Sequence, residues 1–258
     1  MTDLQALSVR EKLQLLEALR EALVIEGSQG IRYGYGSLTE YRRTKREKAC
    51  DEPIAEWIAS FGPGDVFYDV GANIGGFALL AGKLHGTAVA VLAFEPGVEN
   101  FAALARNIRL NDLSGTVTPL PVALSESTGV QQFFYRAVDA GGALHAIGAP
   151  VDYRGKKFTP AAVQPVISYT FDDVIERLAL PRPTRIKLDV DGAESRVLAG
   201  AARTLTTSRC DLWIELTEGR DAAALGQLEH FGYASRRRID HDRIEGRPLV
   251  YDAFFQRV

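Results

Sequence analysis

An α/β fold, built on a mainly parallel sheet of seven strands with helices on both faces, is what this sequence predicts, and three observations carry the prediction. From Val66 onward, apolar runs of strand length alternate with segments of helical periodicity, the pattern of strands joined by crossover helices. A glycine-rich turn, Gly71-Ala72-Asn73-Ile74-Gly75-Gly76, joins the first strand directly to its helix. The last two strands have no helix between them and so predict a terminal antiparallel hairpin.

The elements follow in order. Residues 8–25 place Val9, Leu13, Leu16, Leu19 and Leu23 on one stripe, with Arg10, Glu11, Lys12, Glu17, Arg20 and Glu21 elsewhere, an amphipathic helix. Ser8 and Glu11 have the spacing of a capping box, and Gly27 is the expected stop. The stripe suits packing on the domain, a lid over a site or a dimer contact, so a homodimer stays open. Residues 30–37, with Tyr33-Gly34-Tyr35-Gly36, read as a flexible aromatic loop. Helices are expected over 38–48 and 51–61, before Gly62-Pro63-Gly64-Asp65 breaks the chain. Residues 1–64 thus read as an N-terminal helical extension, or cap, and residues 65–258 as the main domain.

Within that domain, strands are expected at 66–70, 88–94, 116–122, 185–190, 212–216, 233–239 and 249–256. Helices are expected at 75–84, 98–110, 194–205 and 222–231. Between Val122 and Arg185 the alternation lapses. Two short strands, 130–135 and 163–168, flank a long small-residue loop at 139–148, and long loops inside compact domains are often functional or mobile.

Composition narrows the classes. In 258 residues, 46% are hydrophobic and 24% charged, the balance of a soluble globular chain long enough for one sizeable core. A formal net charge of -3 argues against a nucleic-acid partner. The basic runs Arg42-Arg43-Thr44-Lys45-Arg46 and Arg236-Arg237-Arg238 are expected on solvated faces. No apolar stretch approaches the roughly 20 residues of a membrane span, so no membrane partner is expected. Two cysteines without metal-type spacing, Cys50 and Cys210, and an acidic start at Met1-Thr2-Asp3 fit a reducing, cytoplasmic setting.

The turn after the first strand carries the most chemical information. Its glycines allow a sharp bend and close approach to a ligand. Asp69, just before the first glycine, would repel a pyrophosphate and attract a cationic ligand such as S-adenosylmethionine, which carries an ammonium and a sulfonium. Asp69, Gly71, Asn73 and Gly75 therefore read as a methyl-donor site. Glu95, about 25 residues later at the end of the second strand, suits both hydroxyls of a ribose. Nicotinamide sites share that last feature, so an oxidoreductase is an alternative, against which Asp69 and Asn73 weigh. Val122 and Ala123, at the end of the third strand, are placed to line an adenine.

A second constellation is Lys187-Leu188-Asp189-Val190-Asp191-Gly192-Ala193-Glu194. Strand alternation sets Lys187, Asp189 and Asp191 on one side of the strand end, where three charges are costly unless they pair or bind something. Asp189 lies where it could reach the donor's methionine end and the incoming nucleophile. Glu194, in the first turn of the next helix, has a structural reading through the helix dipole.

The segments Tyr68-Asp69-Val70-Gly71-Ala72-Asn73-Ile74-Gly75, Phe94-Glu95-Pro96, Val122-Ala123-Leu124-Ser125, Thr170-Phe171-Asp172-Asp173-Val174 and Ile186-Lys187-Leu188-Asp189-Val190-Asp191-Gly192-Ala193-Glu194 resemble, in this order, the FkbM-type methyltransferases. The resemblance implies a Rossmann-like class I methyltransferase fold. It also implies S-adenosylmethionine-dependent O-methylation, typically of hydroxyls on sugars, glycans or natural products, with S-adenosylhomocysteine as product. Asp191 departs from the pattern, where glutamate is more usual. Residues 1–64 and 139–160 fall outside the resemblance and are expected to shape the acceptor pocket.

Methyl transfer from a sulfonium is an in-line displacement, accelerated by aligning the acceptor oxygen behind the methyl group. An alcohol also needs a base or a metal. Asp189, Lys187 and His145 are candidates for the base. A divalent ion held by Asp189 and Glu215, at neighbouring strand ends, is a further option without an evident third ligand. A module that binds the donor without catalysis would lack a usable acceptor site; the charged cluster at Lys187, Asp189 and Asp191 favours an enzyme.

Overall fold

The computed structural model describes residues 5, 7–50, 52–241 and 249–258. The chain opens with α1 (Val9–Ala22), β1 (Val24–Glu26), β2 (Arg32–Gly34), α2 (Leu38–Cys50) and α3 (Glu52–Ala59). The strand–helix series then runs β3 (Val66–Val70), α4 (Gly76–His85), β4 (Ala90–Phe94), α5 (Val98–Leu110) and β5 (Val117–Leu120). A lateral segment follows, with β6 (Ala123–Leu124), β7 (Gly129–Tyr135), β8 (Ala146–Ile147), β9 (Ala162–Tyr169) and α6 (Phe171–Arg177). The series resumes with β10 (Arg185–Leu188), α7 (Glu194–Ala199), α8 (Ala202–Thr207), β11 (Asp211–Thr217), α9 (Ala222–His230), β12 (Tyr233–Asp240) and β13 (Val250–Arg257).

The main sheet has seven strands in the order β12-β13-β11-β10-β3-β4-β5. Its pairs from β11 to β5 are parallel, while β13 runs antiparallel to both β11 and β12. Side-chain alternation gives the sheet two packed faces. On one, Tyr68, Leu92, Ile186, Leu212 and Ile214 meet Phe171, Val174, Leu198 and Leu228 of the helices that follow β9 to β11. On the other, Phe67, Val91 and Trp213 meet Ile54, Trp57, Ile58 and Phe61 together with Leu79, Leu104 and Ile108. Helix α3 therefore shares one apolar core with β3 and α4.

Several details differ from the sequence reading. The capping box forms as expected, with Glu11 N donating to Ser8 Oγ and Ser8 N to Glu11 Oε2, but α1 ends at Ala22 with Leu23 as its cap, before Gly27. Residues 30–37 do not form a flexible loop: β2 pairs with β1, and Tyr33 and Tyr35 are buried. The third core strand stops at Leu120, and Val122 leads into β6 of a separate four-stranded sheet, β6-β9-β7-β8. The helix expected over 194–205 is two short helices meeting at Gly200-Ala201. Cys210 is a buried free thiol; the Cys50 side chain lies outside the described residues. Among the described residues no helix is long and apolar enough to cross a membrane.

The reason β2 is held lies on α5. That helix carries three buried asparagines, Asn100, Asn107 and Asn111, on the same face as Ala103, Leu104 and Ile108. Asn111 brackets Arg32, accepting from its N–H at 2.8 Å and donating to its carbonyl at 2.7 Å, as a neighbouring strand would. Asn107 accepts from Gly34 N at 3.1 Å and donates to Ile74 O at 3.0 Å, joining β2 to the glycine-rich turn. A buried backbone group left without a partner costs about 1–3 kcal/mol. Asn107→Ala orphans two, so urea unfolding should show a loss of at least about 2 kcal/mol, and Asn107→Asp, which would bury a carboxylate against the Ile74 carbonyl, should not recover it.

Candidate functional site

A cavity of about 600 Å³ opens at the carboxyl edge of the sheet, where loops after β3, β4 and β10 converge. The turn after β3 approaches β10 closely. At Gly71, φ is +81° and an added Cβ would fall 1.9 Å from the Asp189 carbonyl oxygen, so only glycine fits. Gly75, at φ +101°, lies under the turn as the cap of α4, with Leu104 Cδ1 2.7 Å from where a Cβ would stand. Gly71 and Asn73 belong to the cavity wall, as do Glu95, Val122, Ala123, Lys187 and Asp189.

Asp69 is placed differently. It is fully buried, 0% exposed, and is not part of the wall. Its Oδ2 accepts from Ala78 N at 3.1 Å at the start of α4, and its Oδ1 has only the Lys187 ammonium at 3.5 Å, an ion pair longer than a hydrogen bond. Burial pushes its pKa up against the pull of Lys187. The carboxylate thus holds the turn and its helix from below, and a direct contact with a ligand in the cavity is not available to it.

Lys187 links this buried carboxylate to the exposed edge. Its Nζ lies 3.2 Å from Asp189 Oδ2, donates to Gly71 O at 3.2 Å and sits 5.3 Å from the centre of the Phe77 ring. Burial works to strip its proton, but the Asp189 and Asp69 carboxylates outweigh burial and hold its pKa above the ordinary lysine range. A lysine held charged cannot accept a proton near neutral pH, which removes it as a general base and leaves it a positioning role.

Glu95 is buried with its Oε2 accepting from Asn73 N and its Oε1 from Gly97 N, each at 2.8 Å. Burial raises its pKa to about 7. Beyond it, the loop at residues 139–148 is pinned and not free. Asn73 Nδ2 and Asn100 Nδ2 both donate to Gly142 O, Asn100 Oδ1 accepts from Gly141 N, and Asp191 Oδ2 accepts from Leu144 N at 2.6 Å. Asn73, Leu144 and Asp191 adopt φ of 50°, 64° and 56°, non-glycine residues in a costly region that the clamp enforces. His145 is buried beside Phe133 and Tyr135, not solvent-facing. Its Nδ1 accepts from Arg136 N, and burial lowers its pKa to about 4, which makes it a poor base. Glu194 accepts from Val190 N and Gly192 N at 3.1 Å each, the structural role its position suggested.

The other end of the cavity is lined, apart from Glu215, by residues the sequence reading did not single out for a site. Arg42 and Arg43 of α2 line it; Arg42 is exposed, as its basic run was expected to be, and Arg43 half-buried, while Arg236, Arg237 and Arg238 are exposed as expected. Helix α2 is fixed there by its own capping box, Ser37 with Glu40, and by the Arg106–Glu40 ion pair. Trp213, Glu215, His241 and Asp252 complete this end. Burial, then crowding by Asp189, Asp191 and Asp252, drives the Glu215 pKa well up. One ligand atom each of Glu215, His241 and Asp252 lies within 4.8 Å of the other two. Asn100 could have been found from a polar residue on an apolar helix stripe; Glu215 was legible at its strand end, but its grouping with His241 and Asp252 depends on cross-strand register.

A parallel sheet ending in an antiparallel strand, with a glycine turn and an acidic second-strand end beside one cavity, defines a Rossmann-like donor-binding enzyme fold. The model of the methyltransferase FkbM domain matches residues 69–240, and the chain belongs to that family of S-adenosylmethionine-dependent methyltransferases. The chain is 28% identical over 189 residues to the hexuronic acid methyltransferase AglP of Haloferax volcanii, covering 73% of this chain and 72% of that protein. It is 33% identical over 159 residues to the 31-O-demethyl-FK506 methyltransferase FkbM of Streptomyces tacrolimicus, covering 54% and 60%. Among solved structures, a methyltransferase FkbM from Methylobacillus flagellatus matches at a TM-score of 0.49 and 16% identity, over 94% of this chain and 59% of that one.

The Lys187 pairing makes a stability prediction. Removing one partner of a buried ion pair costs about 3–5 kcal/mol because the other charge is stranded. Lys187→Met should lose stability on that scale in urea at pH 8, and less as the pH falls and the stranded Asp69, its pKa already pushed up by burial, takes up a proton. Adding Asp69→Asn should recover part of the loss; if it deepens the loss instead, the pair does not carry the energy.

Proposed function

We propose that the protein transfers a methyl group from S-adenosylmethionine to a hydroxyl oxygen of a sugar, glycan or natural-product acceptor. The observation that carries this reading is a single cavity with a ribose-type carboxylate, Glu95, at one end and the Lys187–Asp189 ion pair facing the other. The residues present suit the donor. Gly71 lets the turn pack directly against the Asp189 backbone at the cavity wall, the Glu95 carboxylate can accept from two ribose hydroxyls, and Val122 and Ala123 offer small apolar surface to the adenine. Asp69 and Gly75 act on the donor site through the turn and α4. Asp189 is proposed to contact the methionine end as well as the acceptor.

The donor supplies an electrophilic methyl group on a sulfonium. The chain's part is to align an acceptor oxygen and take its proton. Asp189 is the candidate base, because Lys187 is held charged and His145 is both engaged and weakly basic. Arg42 and Arg43 on the acceptor wall favour an acceptor that carries a carboxylate, and the hexuronic acid methyltransferase of Haloferax volcanii supports an acidic sugar as the first class to try.

Two measurements test this reading. Ribose hydroxyls bind ionised Glu95 more strongly than its protonated form, and its pKa of about 7 lies above its ordinary 4.5, so donor binding should draw off its proton near and below that pH. Calorimetry should show donor affinity rising with pH through about 6 to 8 and levelling above, with proton release on the lower side. Glu95→Gln should weaken binding more than tenfold, since charge-assisted hydrogen bonds are worth about 1.5–3 kcal/mol each, and flatten the profile. Tight binding of NAD with no binding of S-adenosylmethionine would defeat the donor assignment.

The second measurement is turnover on uronate-bearing sugars and glycans. Asp189→Asn should keep donor binding and lose about 10²–10⁴-fold in turnover, the usual share of a general base. Full activity in that variant would make Asp189 structural. Donor binding without methyl transfer to any such acceptor would favour a non-catalytic binding module.

A further inference from the structure

Three side chains at the acceptor end form a set that neither the family nor its motifs account for. Glu215 on β11 and Asp252 on β13 are direct cross-strand partners, and His241 follows β12, held by its backbone N–H on Val250 O at 3.0 Å. One ligand atom from each lies within 4.8 Å of the other two. His241 Nε2 is 3.1 Å from Asp252 Oδ2, and His241 Nδ1 is 3.9 Å from Glu215 Oε2. All three residues face the same cavity as Asp189 and Asp191.

We infer that Glu215, His241 and Asp252 form a binding site for a divalent cation of the manganese(II) class. Two carboxylate oxygens and one imidazole nitrogen suit such a borderline-hard ion, whereas magnesium and calcium prefer oxygen alone. Bonds of about 2.1 Å set three donors around one ion about 3.0–3.6 Å apart, so the three ligand atoms, one from each side chain and all within 4.8 Å of one another, must draw in by up to roughly an ångström. The donors rise from adjacent strands of one sheet, so the backbone register brings them together before any ion arrives. Three protein ligands leave positions open toward the cavity. There an acceptor oxygen could be held beside Asp189, and that use, unlike the binding itself, rests on the proposed methyl transfer. A cation also offsets the repulsion among Asp189, Asp191, Glu215 and Asp252, which share this wall.

The test uses the full chain, stripped with chelator and titrated with manganese(II) alone, the free ion being followed by electron paramagnetic resonance. About one ion per chain is expected. Glu215→Gln and Asp252→Asn should each weaken binding at least about tenfold, with S-adenosylmethionine binding retained as the check that each variant is folded. Asp189→Asn should keep the ion while losing turnover, which separates failure of this site from failure of the methyl-transfer reading. No stoichiometric binding by the wild-type chain, or unchanged binding in both ligand variants, would overturn the inference. Full activity after chelation with loss on His241→Ala would overturn it too, by making His241 a proton acceptor backed by Asp252.

Discussion

Lys187 ties together the parts of the carboxyl edge that everything else in this protein is built around. Its ammonium meets Asp69 of β3, the carbonyl of Gly71 in the turn, Asp189 beyond β10 and the Phe77 face on α4. Each contact comes from a different stretch of chain, so one buried charge fixes β3, its turn, its helix and β10 relative to one another. The arrangement is paid for by the two carboxylates, since a lone buried ammonium would lose its proton. With both in place it stays charged, and its position decides what Asp189 can do.

Sheet register explains why the charges collect where they do. Lys187 pairs with Asp69 on one side and with Trp213 on the other, and Trp213 pairs with Phe254. These residues share one pleat face, the face covered by α3 and α4. One step nearer the edge on the same face stand Asp189, Glu215 and Asp252, past the reach of the apolar cover. Trp213 and Phe254 of the first row pack with those helices, while Asp189, Glu215 and Asp252 of the second face the cavity. Function begins where the packing of that face stops.

How much of this was legible beforehand follows the same division. The strand–turn–helix at Val66 to Phe77, Glu95 at a strand end and the Lys187–Asp189 pair are each written in a few consecutive residues, and linear reading finds such patterns. Asp69 shows its limit: the residue type was right for a cation, but alternation turns it inward to a lysine instead of outward to a ligand. The Tyr33–Gly36 segment looked flexible because its glycines are local, while the asparagines that hold it lie on α5. The N-terminal 64 residues were expected to shape the pocket, but which side chains of α2 do so was not legible, because its basic run carries no sign of which turn faces inward. Cross-strand partners such as Glu215 and Asp252 leave no trace in a linear pattern.

The two ends of the cavity are also built differently, and that difference bears on specificity. The donor end is made by motif residues on the main sheet, clamped to the 139–148 loop through Asn73, Asn100 and Asp191. The acceptor end draws on α2 and the antiparallel β12–β13 ending, segments at opposite ends of the chain. A change of acceptor can therefore be made in α2 or β13 without disturbing Lys187 or the turn. Glu40 is the exception: it caps α2, pairs with Arg106 of α5 and backs against Gly141, where a Cβ would stand 2.9 Å from Glu40 Cα. Through that contact the helix carrying Arg42 and Arg43 is indexed to the 139–148 loop, so the two sides of the cavity keep a fixed separation, and under the proposed function that separation would hold an acceptor in line with the methyl group.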